Sequence, residues 1–107
     1  MGADGSEVAA SGSGVDLLAH NDGDHVAVAV RDVTPGEVRV AWLGSDQRQS
    51  LGAADKIPFG HKMALADLAK GDEVIEYGAR IGIATQPIRR GELVHTHNIR
   101  SARWQTN

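Results

Sequence analysis

The chain has 107 residues, 14 acidic and 11 basic side chains, a formal net charge of -3 and no cysteine, which sets the scale at one domain with a modest core. Without a thiol, disulfides, thiolate zinc sites, cysteine nucleophiles and protein-held iron–sulfur clusters are excluded, so any metal must take nitrogen or oxygen donors. No apolar run approaches the ~20 residues of a membrane span and no basic segment leads into an apolar one as in a secretory leader, so a cytoplasmic protein without membrane contact is the default expectation.

Residues 1–14, MGADGSEVAASGSG, hold too little apolar surface to offset the entropy of ordering, and are expected to be mobile. Short extended segments begin at Val15. Val15 to His20 and His25 to Val30 read as strands joined through the turn chemistry of Asn21-Asp22-Gly23-Asp24, with Val26, Val28 and Val30 on one face. Pro35-Gly36 punctuates the next turn and feeds a strand from Glu37 to Leu43. A weaker strand follows over Gln47 to Ala53, and Ile57-Pro58-Phe59-Gly60 breaks the ladder. His61 to Leu65 resumes, then Ala66-Asp67-Leu68-Ala69 offers at most one helical turn. Glu73 to Tyr77 and Arg80 to Ala84 flank Gly78-Ala79 as a hairpin, and Glu92 to Asn98 is the last strand. Three phrases share one grammar, an apolar residue, two others, Gly and an acid: Val33-Thr34-Pro35-Gly36-Glu37, Leu68-Ala69-Lys70-Gly71-Asp72 and Ile88-Arg89-Arg90-Gly91-Glu92. They mark turns in which glycine supplies a positive φ. The expected class is therefore all-β, a compact domain over residues 15–103 with many short strands and a tail at 104–107.

Charge is uneven: residues 1–55 carry nine acids and three bases, residues 56–107 eight bases and five acids. The basic half has only Phe59, Tyr77 and Trp104 as aromatics, too few stacking platforms for nucleic acid, so a small anion is the better expectation. His95 and His97 fall in that half. In an extended segment residues two apart share a face, so both imidazoles point one way, toward one metal ion or one anionic substrate.

The run Ile57-Pro58-Phe59-Gly60-His61-Lys62-Met63-Ala64-Leu65, with Glu76-Tyr77-Gly78, Ile81-Gly82-Ile83-Ala84-Thr85 and His95-Thr96-His97-Asn98, resembles the SAF-type small domain of the altronate/galactarate dehydratase family. That family places this β-clip domain at the N-terminus of a long sugar-acid dehydratase or in a separate small subunit, such as the alpha subunit of sulfolactate sulfo-lyase. The resemblance implies a stand-alone small subunit, or a domain cut from a longer chain. It further implies a lyase that removes water or sulfite from a 2-hydroxy acid, often with a divalent metal such as iron(II). Such chemistry needs a base, cations for the carboxylate and a stabiliser for the developing enolate. His95, His97 and His61 are the candidate catalytic residues; Lys62, Asn98 and His25 are the candidates for holding substrate directly or through a neighbour. His95 and His97 are the candidate metal ligands, for an ion shared with a large subunit. Set against this are ordinary turn and strand-surface roles for each histidine and a solvated role for Lys62. The rival function is a non-catalytic β-clip module that binds carbohydrate or a partner. Exposed strand edges lead to an expectation of oligomerisation. A small domain without a deep pocket is expected to be inactive until a large subunit completes the site.

Overall fold

The computed structural model describes residues 14–101; the expected mobile segment, apart from Gly14, and the tail with Trp104 lie outside the described residues. Nine strands and no helix are found among them: β1 Leu17–Ala19, β2 Val26–Ala29, β3 Gly36–Trp42, β4 Arg48–Ala53, β5 Lys62–Ala64, β6 Glu73–Glu76, β7 Ala79–Ala84, β8 Leu93–Val94 and β9 Ile99–Ser101. The fold is all-β, as the short alternating segments lead one to expect. Six strands form one sheet in the order β4-β3-β1-β2-β5-β8 and three form a second, β9-β7-β6. Only β1 and β3 run parallel, with Leu17 beside Val40; the other pairs are antiparallel.

Two apolar clusters explain why the strands carry small residues. Leu17, Ala27, Ala29, Val40, Ile57 and Met63 belong to the larger cluster, whereas Val26, Ala64, Val74, Ile88 and Val94 belong to the smaller one. Successive side chains on a strand point to opposite faces. Thus β2 gives Ala27 and Ala29 to one cluster and Val26 to the other, and β5 divides Met63 and Ala64 in the same way. Both faces of these strands are covered, so the expectation of a half-buried strand with Val26, Val28 and Val30 on its inner face is corrected. The alanines are fully inside, Val28 is half-buried and Val30 is 37% exposed.

The apolar-x-x-Gly turn forms at two of the three phrases, those of Leu68 and Ile88, and also at Ile57, whereas at the Val33 phrase Gly36 and Glu37 already lie in β3 and no such turn is made. Asp72 and Glu92 each donate their backbone N–H to the carbonyl three residues back, of Ala69 and Arg89, and His61 does the same to Pro58. A glycine with positive φ precedes each: Gly60, Gly71 and Gly91. These are the features of a type II turn. The apolar residue that starts each turn is buried, and Leu68 bridges Ile88 while Ile57 bridges Val33. Ala66 to Ala69 is consequently bend and bridge, within the limit of at most one helical turn that the sequence sets. Gly91 is the most constrained of the glycines, since a Cβ there would run into the backbone of Gly52.

Candidate active site

The expected last strand from Glu92 to Asn98 is cut short at Val94, and His95 to Asn98 forms a turn. Asn98 is the cause. Its Oδ1 accepts the His95 N–H at 2.9 Å and its Nδ2 donates to the Leu93 carbonyl at 2.8 Å. The backbone N–H groups of Asn98 and Ile99 both donate to the His95 carbonyl, at 3.0 Å. A side chain that satisfies local backbone competes with ladder pairing and outweighs the strand preference of Val94 and Thr96. His95 and His97 therefore do not share the face of a strand. Asn98 is buried with its amide committed on both sides, so it sets the shape of the turn that displays the histidines.

What the fold does bring together is His95 and His61. Their ring centroids are 5.0 Å apart and the planes are inclined by 48°. The antiparallel pairing of Lys62 with Val94 puts the residues just outside each strand, His61 and His95, side by side. His61 Nδ1 lies 3.4 Å from the Phe59 carbonyl. A proton on Nδ1 uses that long contact and leaves Nε2 with its lone pair, the form that accepts a proton. His97 is exposed and has no hydrogen-bond partner among the described residues.

His95 lines a cleft of about 550 Å³ with Lys62, Glu76, Val94, Thr96 and Arg100. One wall is the β5–β8 edge of the large sheet, and the other comes from the small sheet, whose β6 supplies Glu76 and whose β9 supplies Arg100. Lys62 shares a strand face with Ala64 of the smaller cluster, so its stem turns toward this cleft. Its ammonium lies 3.8 Å from Glu76 Oε1 and is half-buried, whereas the carboxylate is almost fully covered. His20 Nε2 lies 4.0 Å from the other oxygen, Oε2, which has no hydrogen-bond partner. Burial pushes the Glu76 carboxyl up from its ordinary value, against the opposing pull of Lys62 and His20.

Glu76 is the residue the sequence reading missed. Its signal was present: in the strand Glu73 to Glu76 it shares a face with Val74, so a carboxylate sits where the alternation asks for an apolar side chain. A bulge between Val74 and Ile75 interrupts the ladder just before it. His25 fixes this strand. Ile75 N–H donates to His25 Nδ1 at 3.0 Å and His25 N–H donates to the Ile75 carbonyl at 2.8 Å. His25 thus touches the strand that bears Glu76 and holds it against β2.

The hairpin turn after Glu76 is Tyr77-Gly78, one residue earlier than expected, with Glu76 paired to Ala79. Tyr77 has φ 60° and Gly78 φ 71°, the double positive φ of a type I′ turn, which tyrosine adopts only at a cost. Two contacts offset it. Asp24 accepts the N–H groups of Tyr77 at 3.0 Å, Gly78 at 3.2 Å and Asn21 at 3.1 Å, and the Tyr77 ring stacks on His20 with centroids 3.8 Å apart. Burial would raise the Asp24 carboxyl, but these backbone donors outweigh it and hold the group below its ordinary range.

Among the described residues no three His, Asp or Glu side chains converge at metal-binding spacing. The two neighbouring imidazoles, His61 and His95, fall short of the donor set a bound ion requires, so the residues present do not fit a metal held by this chain alone. No helix of the described residues is long and apolar enough to cross a membrane.

Comparison with known proteins gives a consistent result. The model of the altronate/galactarate dehydratase SAF domain matches residues 15–102. The alpha subunit of (2R)-sulfolactate sulfo-lyase from Chromohalobacter salexigens is 39% identical over 92 residues, which cover 84% of this chain and 98% of that subunit. The Paracoccus pantotrophus alpha subunit is 46% identical over 54 residues, 50% of this chain and 81% of its relative. Altronate dehydratase of Escherichia coli is 43% identical over 79 residues, 73% of this chain but 15% of that enzyme. The chain corresponds to nearly the whole of the first relative and to a small part of the last.

Proposed function

Given that the chain belongs to the SAF domain family of altronate and galactarate dehydratases, we propose that it is the small subunit of a hydroxy-acid lyase and lends its cleft to an active site completed by a large subunit. The supporting observation is the His61–His95 ring pair, whose His95 lines a cleft together with Lys62 and Arg100. The near full-length correspondence with a sulfo-lyase alpha subunit supports the two-subunit arrangement.

The chemistry common to dehydration and sulfite loss is an elimination. A base takes the proton beside the carboxylate, the electron pair forms the new double bond, and hydroxide or sulfite leaves. His61, with Nε2 free, is the base, and His95 beside it shares the developing positive charge. Lys62 and Arg100 hold the substrate carboxylate. His97, exposed on the same turn, reaches across the interface to the large subunit. Asn98 and His25 are positioning residues, one shaping the turn of His95 and the other holding β6. A divalent ion, where the complex uses one, draws its ligands mainly from the large subunit, and no step here depends on it. An open cleft cannot exclude water, so the isolated chain is inactive.

The test is co-expression with a candidate large subunit from the same organism, followed by assays of 2-oxo acid formation and sulfite release. His61→Ala and His95→Ala should each lower kcat by about 10²–10⁴, the usual contribution of a positioned acid or base. Complexes that assemble and retain full activity with both variants would leave the chain as a scaffold or binding module.

A further inference from the structure

The buried carboxylate in the cleft is not used by the elimination described above, and it sits in an unusual electrostatic setting. Glu76 is 3% exposed, and its Oε2 lacks any hydrogen-bond partner. Its two nearest cationic candidates approach without bonding it: Lys62 Nζ at 3.8 Å and His20 Nε2 at 4.0 Å, both beyond hydrogen-bond length. A buried ion held this loosely is costly, because neither the charge nor the lone pairs are well compensated. The other charges around it are Asp24, which opposes its ionisation, and the cleft-lining Arg100 and His95. Lys62 is therefore the main group that favours ionisation of this carboxylate against its burial.

Lys62 is the more mobile partner. Its side chain is 34% exposed against 4% for Glu76, and it lines the cleft. An anion entering the cleft competes with Glu76 for the same ammonium, and adds a second negative charge beside it. Two such charges in a partly dry site do not both persist, and the buried one is the one that takes a proton.

We infer that Lys62 and Glu76 make the cleft a proton-coupled anion site, in which a carboxylate or sulfonate engages Lys62 while one proton from solvent is taken up on Glu76. The ligand class is a small hydroxy-acid anion, and the inference rests on the substrate cleft proposed above. Binding is then tighter at lower pH for a reason that lies in the protein and not in the ligand. The coupling also leaves a neutral carboxyl, able to donate a hydrogen bond, at the back of the occupied cleft.

All of these groups lie on this chain, so the full chain alone provides the test, with malate as probe. The Glu76 carboxyl resonance is first titrated by NMR with and without malate, to find the pH at which the free group is at least about nine-tenths ionised and the malate-bound group is protonated. Calorimetry at that pH, in two buffers of different ionisation enthalpy, then counts the protons taken up. The expected result is close to one proton per malate, with the Glu76 resonance moving to its protonated position. Glu76→Gln, a near isostere, should bind malate with no proton uptake, and Lys62→Met should bind at least tenfold more weakly. Failure to bind malate, binding without proton uptake, or the same uptake in Glu76→Gln would overturn the inference. Lyase activity in the assembled complex without proton uptake by the chain removes the inference and leaves the function standing. Proton-coupled malate binding beside an inactive complex does the reverse.

Discussion

Replacing Asp24 by alanine should unfasten the two turns that frame the cleft. The carboxylate accepts from Asn21 in its own turn and from Tyr77 and Gly78 in a turn more than fifty residues away. Hydrogen bonds to a charged acceptor contribute about 1.5–3 kcal/mol each. Tyr77 and Gly78 are exposed enough for water to replace part of that, so about 1 kcal/mol per bond is the appropriate lower figure. Three bonds give ~3 kcal/mol, and the φ of Tyr77, no longer held, returns roughly 1 kcal/mol of strain that its relaxation can release. A net loss of about 2–3 kcal/mol is a large part of the ~5–15 kcal/mol that holds a small domain folded. At ~4–8 °C per kcal/mol for a domain of this size, the thermal midpoint should fall by roughly 8–24 °C. Differential scanning calorimetry of Asp24→Ala measures it. Tyr77→Gly in the same background should recover part of the loss, since glycine adopts the turn without strain. A fall below about 4 °C, less than 1 kcal/mol by the same conversion, with no recovery by Tyr77→Gly, would mean that solvent serves those donors equally well. Asp24→Asn adds a pH arm. The folded carboxyl lies below its ordinary 3.8, so its stabilisation is complete above the unfolded value and is lost as pH falls through the folded one. The Asn variant should lack that acid-side loss.

Two further outcomes follow from the same structure. Glu76 has the opposite sign: its folded carboxyl is raised above 4.5, the native state holds the extra proton, and stability declines as pH rises through that window. Glu76→Gln should therefore have a flatter stability curve, and a thermal midpoint at or above that of the parent at neutral pH. An unaltered slope would mean the carboxyl is not displaced. Gly91→Ala should cost about 2–4 kcal/mol, combining overpacking against the Gly52 backbone with the strain of a positive φ; urea denaturation measures it, and a loss under 1 kcal/mol would show that the turn can shift aside.

How far the sequence could be read depended on whether the deciding interaction was local. Strand positions and the all-β class were legible because alternation and turn residues are local signals, and β3 and β4 were placed within a residue at each end. The Asn98 turn is hidden in the sequence because Val94 and Thr96 favour extension, whereas the bonds of Asn98 to its neighbours' backbone decide the conformation. Tyr77-Gly78 was displaced because a tyrosine at positive φ is disfavoured locally and is held there by Asp24, which no local pattern reveals. The cleft joins residues on separate sheets, and Lys62 and Glu76 meet only through tertiary packing. The histidine at 95 was found, but its partner in space is His61 and not His97.

The repeated turn explains why His61 in particular is available. In two copies the residue after glycine is an acid whose carboxylate accepts the N–H at the start of its own turn: Asp72 from Ala69 at 2.8 Å, and Glu92 from Arg89 at 3.0 Å. That bond closes the turn and occupies the side chain. In the copy at Ile57 the first turn residue is Pro58, which has no N–H to give. A carboxylate at position 61 would find no such donor, and the turn is held instead by Gly60 at positive φ and by Asp32, whose Oδ1 accepts the Phe59 N–H at 2.9 Å. The side chain at 61 is thereby released from structural duty while the backbone still delivers it to the entry of β5, facing His95 across the β5–β8 pair. Asp72 and Glu92 close their own turns, whereas His61 leaves that bond unmade and faces His95, which lines the cleft, and a departure from local grammar at such a place is expected to mark function.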